Sequence, residues 1–590
     1  MSKPILVAVA WPYANAEIHV GNISGAYLPA DIFARYHRLL GNQVLMVSGS
    51  DAHGTPITVR ADSESKSPEE IYSHYHEGFL KLFVDLGITY DLFTTTHSDN
   101  HFNVAQTVFN RLLENGFLYR EIEQQWYSSK SNRFLPDRYI EGTCYLCGYD
   151  EARGDQCDSC GHILDGKKLL QPRSKTGDKS LELRETEHYF IDLVKLSDQI
   201  SHYLSTDKSH WRANVLKPSL YTVDEIGLHG RAITRDLDWG IPVPLDGWDD
   251  KCLYVWFEAV IGYLSASIEW ASNNNEPFSW HQWWYNDDCL SYYFIGKDNI
   301  PFHAVIWPAE LIGVSQLSGD DLSTKLNLPY DVPANEFMNL EGEKISGSRN
   351  WAVWGLDVVE RYGADAVRYY LTVNMPETKD TDWSWSEFQQ RNNDQLVATW
   401  GNLVNRVLNF AYKNFDAKVP DPKKLRNEDQ TLLNTINQGF DEIGRLIELV
   451  KMRQALQEAF RLASDVNKYL EDQAPWFTIK SDLDAASKSI YTALRAIDSL
   501  KIVFSPFLPF SSDQLHVYLG YKGSLFGDQS IRNVQDKRWS RSLLEYSHKG
   551  ATGLWKPSEL PVGQEIHKPD TLFQKLDEEI IEQEMSRLGD

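Results

Sequence analysis

The sequence predicts an α/β chain: a doubly wound parallel sheet split by an insertion, then an all-helical bundle. Three observations carry this. An apolar run from Ile5 to Ala10 passes through Trp11-Pro12-Tyr13-Ala14-Asn15 into a helical pattern from Ile23 to Leu40 that stops at Gly41, which reads as strand, tight turn, helix. Strand and helix patterns alternate over residues 1 to 115, break at about 116 where paired cysteine hooks appear, and resume near 236. Beyond Trp385, helical periodicity runs from Leu396 to Phe415, Asp429 to Leu449, Met452 to Leu470 and Ser487 to Phe504, the pattern of a bundle.

The first strand and its turn place His19 and Asn22 at a helix start. Free N–H groups and the positive end of the helix dipole converge there, so phosphate binds well, and Gly21 lets a ligand approach the backbone. A second apolar strand, Val44 to Val47, is followed by Ser50-Asp51-Ala52-His53-Gly54-Thr55-Pro56, which puts Asp51 and His53 at the carboxyl end of the sheet beside His19 and Asn22. A carboxylate in that crevice suits an ammonium group; an Asp capping the next turn is the plainer reading.

The interruption holds Cys144-x-x-Cys147 and Cys157-x-x-Cys160, nine residues apart. Each hook gives two thiolates to one ion, and four thiolates close the tetrahedral shell of one structural zinc, with Gly148, Gly154 and Gly161 allowing the tight turns. A redox dithiol would need one hook.

At 590 residues the chain is long enough for three or four modules. Six cysteines, four of them crowded into the hooks, favour a metal site in a reducing compartment over a disulfide framework. No apolar stretch reaches the roughly 18 residues of a membrane span, and the N-terminus lacks a cleavage pattern, so no membrane and a cytoplasmic location are expected. The net charge of −25 repels nucleic acid globally, so any RNA must bind through a limited basic or aromatic surface.

The Pro-Tyr-Ala-Asn turn, the His19-Val20-Gly21-Asn22 tetrapeptide and the block around Asp51 together resemble the start of the methionyl-tRNA synthetases, class I aminoacyl-tRNA synthetases, with His19 to Asn22 standing for the HIGH motif. Leu253 to Ala259 and Tyr292 to His303 resemble the family's active-site strands and loops, and Glu343-Lys344-Ile345-Ser346-Gly347-Ser348-Arg349 its KMSKS loop. The resemblance covers residue 5 to about 510. It implies a Rossmann-type catalytic domain in two halves (1–115 and 236–385), a zinc-bearing connective insertion (116–235), an α-helical anticodon-binding bundle (386–515) and a C-terminal extension (516–590) whose stretch from Pro569 to Leu588 reads as acidic helix.

It further implies a methionine:tRNA ligase that uses ATP with Mg2+, L-methionine and tRNA(Met), including the initiator. His19, Gly21, Asn22, Lys344, Ser346, Ser348 and Arg349 would serve ATP. Trp11, Tyr13, Asp51, Trp256, Ala259, Tyr263, Phe302 and His303 would hold methionine, Asp51 by its ammonium and the aromatic rings around the thioether. The same aromatic stripe is also what plain core looks like. Asn409, Lys413 and Trp476 match anticodon-reading positions, where an indole can stack on an unpaired base or pack between helices. Two departures stand out: Val260 replaces a common Pro, and Gly347 replaces the second KMSKS lysine. The second motivates an alternative, a noncatalytic tRNA-binding paralogue. The insertion is too small for the editing domains of the Ile, Val and Leu enzymes, and a closed four-thiolate site differs from a cysteinyl enzyme's open zinc. No appended oligonucleotide-binding β-domain is visible, so a monomer is the default.

Overall fold

A computed structural model describes residues 3–589 except 131, 136–138, 155–156, 158, 160–163, 165, 176–180, 277 and 316–324. Its main sheet contains β1 (Pro4–Val9), β2 (Gln43–Ser50), β3 (Leu92–Thr95), β4 (Leu290–Gly296), β5 (Ala334–Asn335), β6 (Asp528–Gln535) and β7 (Ser540–Ser547), in the order β5-β4-β1-β2-β3-β7-β6. The first five strands of that order are parallel, and β1 lies between β2 and β4, each reached from it by a crossover in the opposite direction. Ligands of such sheets bind at this switch point, outside the carboxyl ends of β1 and β4. β1 is buried along its whole length, as an apolar run covered on both faces must be.

The helical stretch after the first turn is more varied than its periodicity implies. His19 caps a short turn, Val20–Asn22; a wider π-type turn, Ile23–Tyr27, follows, and then a regular helix, Leu28–Leu39, closed by Gly41 at φ +79°. The block expected as strands and loops around Trp256 is instead the start of a long buried helix, Val255–Asn273. The insertion is built on a long antiparallel hairpin, Leu118–Ser128 with Leu181–Ile191, and carries a small three-stranded sheet beside the cysteines.

The bundle comprises Asn402–Asn414, Asn427–Glu448, Met452–Gln473 and Leu483–Phe504. A buried ion cluster fixes it to the sheet domain: Asp31 accepts from Arg35 Nε (2.9 Å) and Arg368 Nη2 (2.7 Å), and Arg368 also donates to the carbonyls of Pro506 and Phe507. Burial alone would raise the Asp31 carboxyl, but the two guanidinium groups outweigh it and bring it down to about 2. Past residue 516, the hairpin β6–β7 adds to the open edge of β3, and only Glu579–Met585 of the expected acidic helix is helical. No helix among the described residues is long and apolar enough to cross a membrane.

Candidate active site

The cleft at the switch point, about 680 Å³, is lined by Tyr13, Asn15, His19, Asn22, Arg60, Gly347 and Trp354 among others. His19 stands at the helix start where the sequence places it, and the structure shows it capping that start: its Nδ1 accepts from Gly21 N–H at 3.1 Å, while Asn22 Oδ1 accepts from His19 N–H at 3.2 Å. Burial pushes the His19 imidazole down to about 4, so it is neutral at pH 7. With Nδ1 accepting, the ring proton sits on Nε2, a ready donor to an anion in the cleft.

The second signature closes onto the first across more than 300 residues of chain. Val20 N–H donates to Val353 O (3.0 Å) and Gly355 N–H to Ile18 O (2.8 Å), and a Cβ added to Gly21 would lie 3.2 Å from Ile345 Cδ1. Gly21 is therefore where the loop lies against the helix start. Lys344 and Arg349 are exposed on that loop; Ser346 is half-buried, and the side chain of Ser348 lies outside the described residues. Gly347 faces the Trp354 ring, whose Cη2 a Cβ would approach to 3.0 Å, so a lysine there has to push the indole aside by a few tenths of an ångström.

Behind Tyr13 the aromatic residues converge into one cage. Trp256 stacks on Phe302 (centroids 4.6 Å, 16°), Tyr13 approaches Trp256 at 6.4 Å, and Trp11 meets Tyr263 edge-on at 6.4 Å. Ala259 lies on the same helix as Trp256 and Tyr263. Trp11 fits only because Gly49 and Gly262 flank it: a Cβ on either would fall 2.1 Å or 2.6 Å from its ring. His303 Nδ1 lies 3.0 Å from the Asn299 carbonyl, which can only accept; burial takes the ring to about 4, so the neutral tautomer donates there and its Nε2 accepts from Tyr263 O–H at 2.7 Å.

Asp51 follows β2 directly and is held by backbone bonds to the turn, Asp51 N–H to Pro12 O (2.8 Å) and Ala14 N–H to Asp51 O (2.9 Å). Its side chain is buried and Oδ1 has no hydrogen-bond partner in the protein. Burial and the nearby Glu258 hold this carboxyl well above the usual range, a state that an incoming ammonium would relieve. His53, expected in the crevice, turns inward instead. Glu258 accepts from His53 Nδ1 (2.8 Å) and His101 Nε2 (2.7 Å); burial alone would raise Glu258, but the two histidines outweigh it and hold the carboxyl down. This buried trio was not singled out from the sequence, although Glu258 sits inside the block flanking Trp256.

In the insertion, one ligand atom each of Cys144, Cys147 and Cys157 lies within 4.8 Å of the others, and Gly148, at φ +80°, makes the turn that returns the first hook. N–H groups of Cys147 and Leu146 outweigh burial and bring the Cys144 thiol down to about 7, toward the thiolate a metal needs. Cys160 lies outside the described residues. Cys252 and Cys289 are buried elsewhere and pushed up to about 12.

In the bundle, Trp476 is half-buried under the Arg406 guanidinium, 4.8 Å from the ring centroid. Arg406 lines an open groove of about 630 Å³ with Asn402, Asn405 and Asn467. Asn409 is turned back, its amide donating to Asn405 O (3.0 Å) and Oδ1 (2.6 Å), and Lys413 is exposed a turn further on. Asn402 and Arg406 were not singled out from the sequence; the signal that could have found them is their position on the exposed side of the helix that carries Asn409.

Residues 5–408 match the family model of class I tRNA synthetases (M), and residues 419–537 match that of the anticodon-binding domain of methionyl-tRNA ligase. The chain belongs to the methionyl-tRNA synthetase family. Relatives named methionine–tRNA ligase from Roseiflexus sp. (strain RS-1) and Thermomicrobium roseum are 53% and 50% identical, each alignment covering 100% of this chain and 99% of the relative. The fold is that of the Mycobacterium tuberculosis methionyl-tRNA synthetase solved with methionyl-adenylate, at TM-score 0.75, 24% identity, 97% of this chain and 100% of that one. Tyr13 lines the cleft and also approaches Trp256 of the cage, so the two adjoin at that ring.

Proposed function

We propose that this protein activates methionine with ATP and transfers it to tRNA(Met), including the initiator. The observation that carries this is the seating of Ile345 on Gly21, which brings the signature loop to the helix start next to an aromatic cage whose carboxylate, Asp51, keeps Oδ1 without a partner in the protein. Asp51 takes the methionine ammonium, and Trp11, Tyr13, Trp256, Ala259, Tyr263, Phe302 and His303 enclose the side chain. The substrate carboxylate then attacks the α-phosphorus of ATP, the bond to the β-phosphate oxygen breaks, and pyrophosphate leaves. His19 Nε2–H, the Asn22 side-chain amide and the loop's Lys344, Ser346, Ser348 and Arg349 neutralise the charge that builds on phosphate oxygens, while Gly21, which has no side chain, lets the nucleotide approach the backbone. Mg2+ enters with ATP as its counter-ion. The terminal ribose hydroxyl of tRNA next attacks the adenylate carbonyl, and AMP departs.

Cys144, Cys147, Cys157 and Cys160 would hold one zinc, which braces the insertion and takes no part in the reaction. Trp476 stacks an anticodon base, with Arg406 and Asn402 beside it and Asn409 and Lys413 flanking. We assign the domains the limits 1–115, 116–235, 236–385, 386–515 and 516–590, a monomeric state and a cytoplasmic location, the latter supported by the buried Cys252 and Cys289, which form no disulfide among the described residues, as suits a reducing compartment. Methionine-dependent exchange of pyrophosphate into ATP, without tRNA, tests this reading. Its absence in folded protein would favour the noncatalytic paralogue, which full-length similarity to relatives named as ligases does not favour.

A further inference from the structure

The loop that carries Lys344 and Arg349 is held by the tail of the described chain. Asn350, at φ +50°, turns the loop back and is bonded to the tail through side chain and main chain: Nδ2 donates to Arg587 O (3.2 Å), and its main-chain carbonyl accepts from Gly589 N–H (3.2 Å). Gly589 lies flat against Trp351, where a Cβ would sit 3.7 Å from the ring. One helical turn earlier, Glu584 is only 3% exposed and is anchored by Arg361 (2.8 Å) and by Tyr362 O–H (2.8 Å). Farther upstream, Leu576 exchanges hydrogen bonds with Asn393, at the start of the bundle: Leu576 N–H to Asn393 Oδ1 (2.9 Å) and Asn393 Nδ2 to Leu576 O (2.8 Å).

We propose that residues 576–589 form a strap that positions the signature loop on the helix start, with Asn350 and Glu584 as positioning residues for adenylate formation. The physical need is plain. The loop's own backbone bonds, two between Ser346 and Trp351 and two within the turn (Arg349 N–H to Ser346 O and Asn350 N–H to Gly347 O, both 3.2 Å), set its shape, but they leave open how a segment with two exposed cations sits on the helix start. Two further bonds at Asn350, backed by a buried carboxylate clamped by Arg361 and Tyr362, remove that freedom before ATP arrives. The strap also runs from the first helices of the bundle to the loop, so it ties the tRNA-reading module mechanically to the ATP site. This rests on the ligase reading for its catalytic consequence and on the contacts alone for its structural one.

Amide hydrogen exchange over 343–351 and the kinetics of methionine-dependent pyrophosphate exchange should be measured for wild type, Asn350→Gly, Glu584→Ala and Glu584→Gln. Glycine accepts the left-handed turn, so Asn350→Gly removes the side-chain bond without backbone strain. Glu584→Ala should speed amide exchange in the loop and lower kcat on the order of tenfold, with the methionine KM within about twofold of wild type. Asn350→Gly should do the same to a smaller degree, and Glu584→Gln, which can still accept from Tyr362 and Arg361, should restore much of both. A loop that exchanges no faster in Glu584→Ala and Asn350→Gly overturns the proposal, as does a kcat unchanged in both. A wild type that catalyses no pyrophosphate exchange defeats the ligase reading instead, while loop protection still decides whether the strap holds the loop.

Discussion

The aromatic cage and the bundle groove both combine aromatic rings with polar partners, yet they are built oppositely. In the cage, Trp11 is wedged between two glycines, His303 has both nitrogens engaged, and Asp51 is walled off from water. In the groove, Trp476 is half-exposed, Arg406 and Asn402 are exposed, and the side chains bond mainly to their own helices. A small substrate must be gripped in one geometry by groups that cost nothing to reorganise during reaction. An RNA loop brings its own conformational freedom, and an open platform that tolerates adjustment suits it.

The contrast breaks most sharply at Asp51. Asp51→Ala should reduce methionine-dependent pyrophosphate exchange on the order of 10²-fold or more, as losing a buried charged partner does, while tRNA binding measured by filter retention stays near wild type. Equal loss of both would mean that the two sites are not separately built. Trp476→Ala should do the reverse, weakening aminoacylation through tRNA by roughly 1–3 kcal/mol with tRNA-free exchange nearly intact. Asn409→Ala should cost less, because its amide is already spent on Asn405.

Arg349→Ala sharpens the account of the cleft. We expect at least about tenfold slower adenylate formation in single turnover, about 1.4 kcal/mol, with Gly347→Lys restoring part of it in the double variant. The restoration should be incomplete because the Trp354 ring must yield to the new side chain. An Arg349→Ala enzyme with wild-type rates leaves Lys344 as the only loop cation that matters.

Metal removal tests the insertion alone: purified protein should carry about one zinc per chain, and Cys157→Ser should loosen proteolytic resistance of 116–235 more than that of the sheet domain. Zinc-free protein isolated without chelator would contradict it.

The smallest effect expected is in pH. The Asp51 carboxyl is raised in the folded protein, so the fold binds its proton more tightly than the unfolded chain does. That contribution to stability is present below the ordinary carboxylate range and is lost as pH rises through the raised value. Methionine supplies the missing positive charge, so its stabilising effect in thermal melts should grow with pH over that window. A methionine effect that is flat in pH, or falls, would mean that Asp51 does not meet the ammonium.

Much of this was legible residue by residue. His19 could be read at a helix start because such a start is decided by the few residues on either side, and β1 because its apolar run needs only itself and a cover. The last segment was read less well: β6 carries too many exposed polar positions to look like a strand, and it is one because it pairs with β7, which in turn adds to the open edge of β3. Likewise the helix starting at Val255 was obscured by a β-branched, aromatic sequence that becomes helical once buried on both sides.

The sequence by itself determined where the turn before the first helix, the cysteine hooks and the helices of the bundle lie, since each is set by interactions within a few residues of chain. Tertiary structure alone decided who meets whom: Ile345 on Gly21, Glu258 between His53 and His101, Arg406 rather than Asn409 over Trp476, and Gly589 on Asn350. Those pairings join positions from 70 to 324 residues apart. Nothing in the local pattern of either partner fixes them; they follow from which buried surfaces fit and which polar groups need a partner once water is excluded.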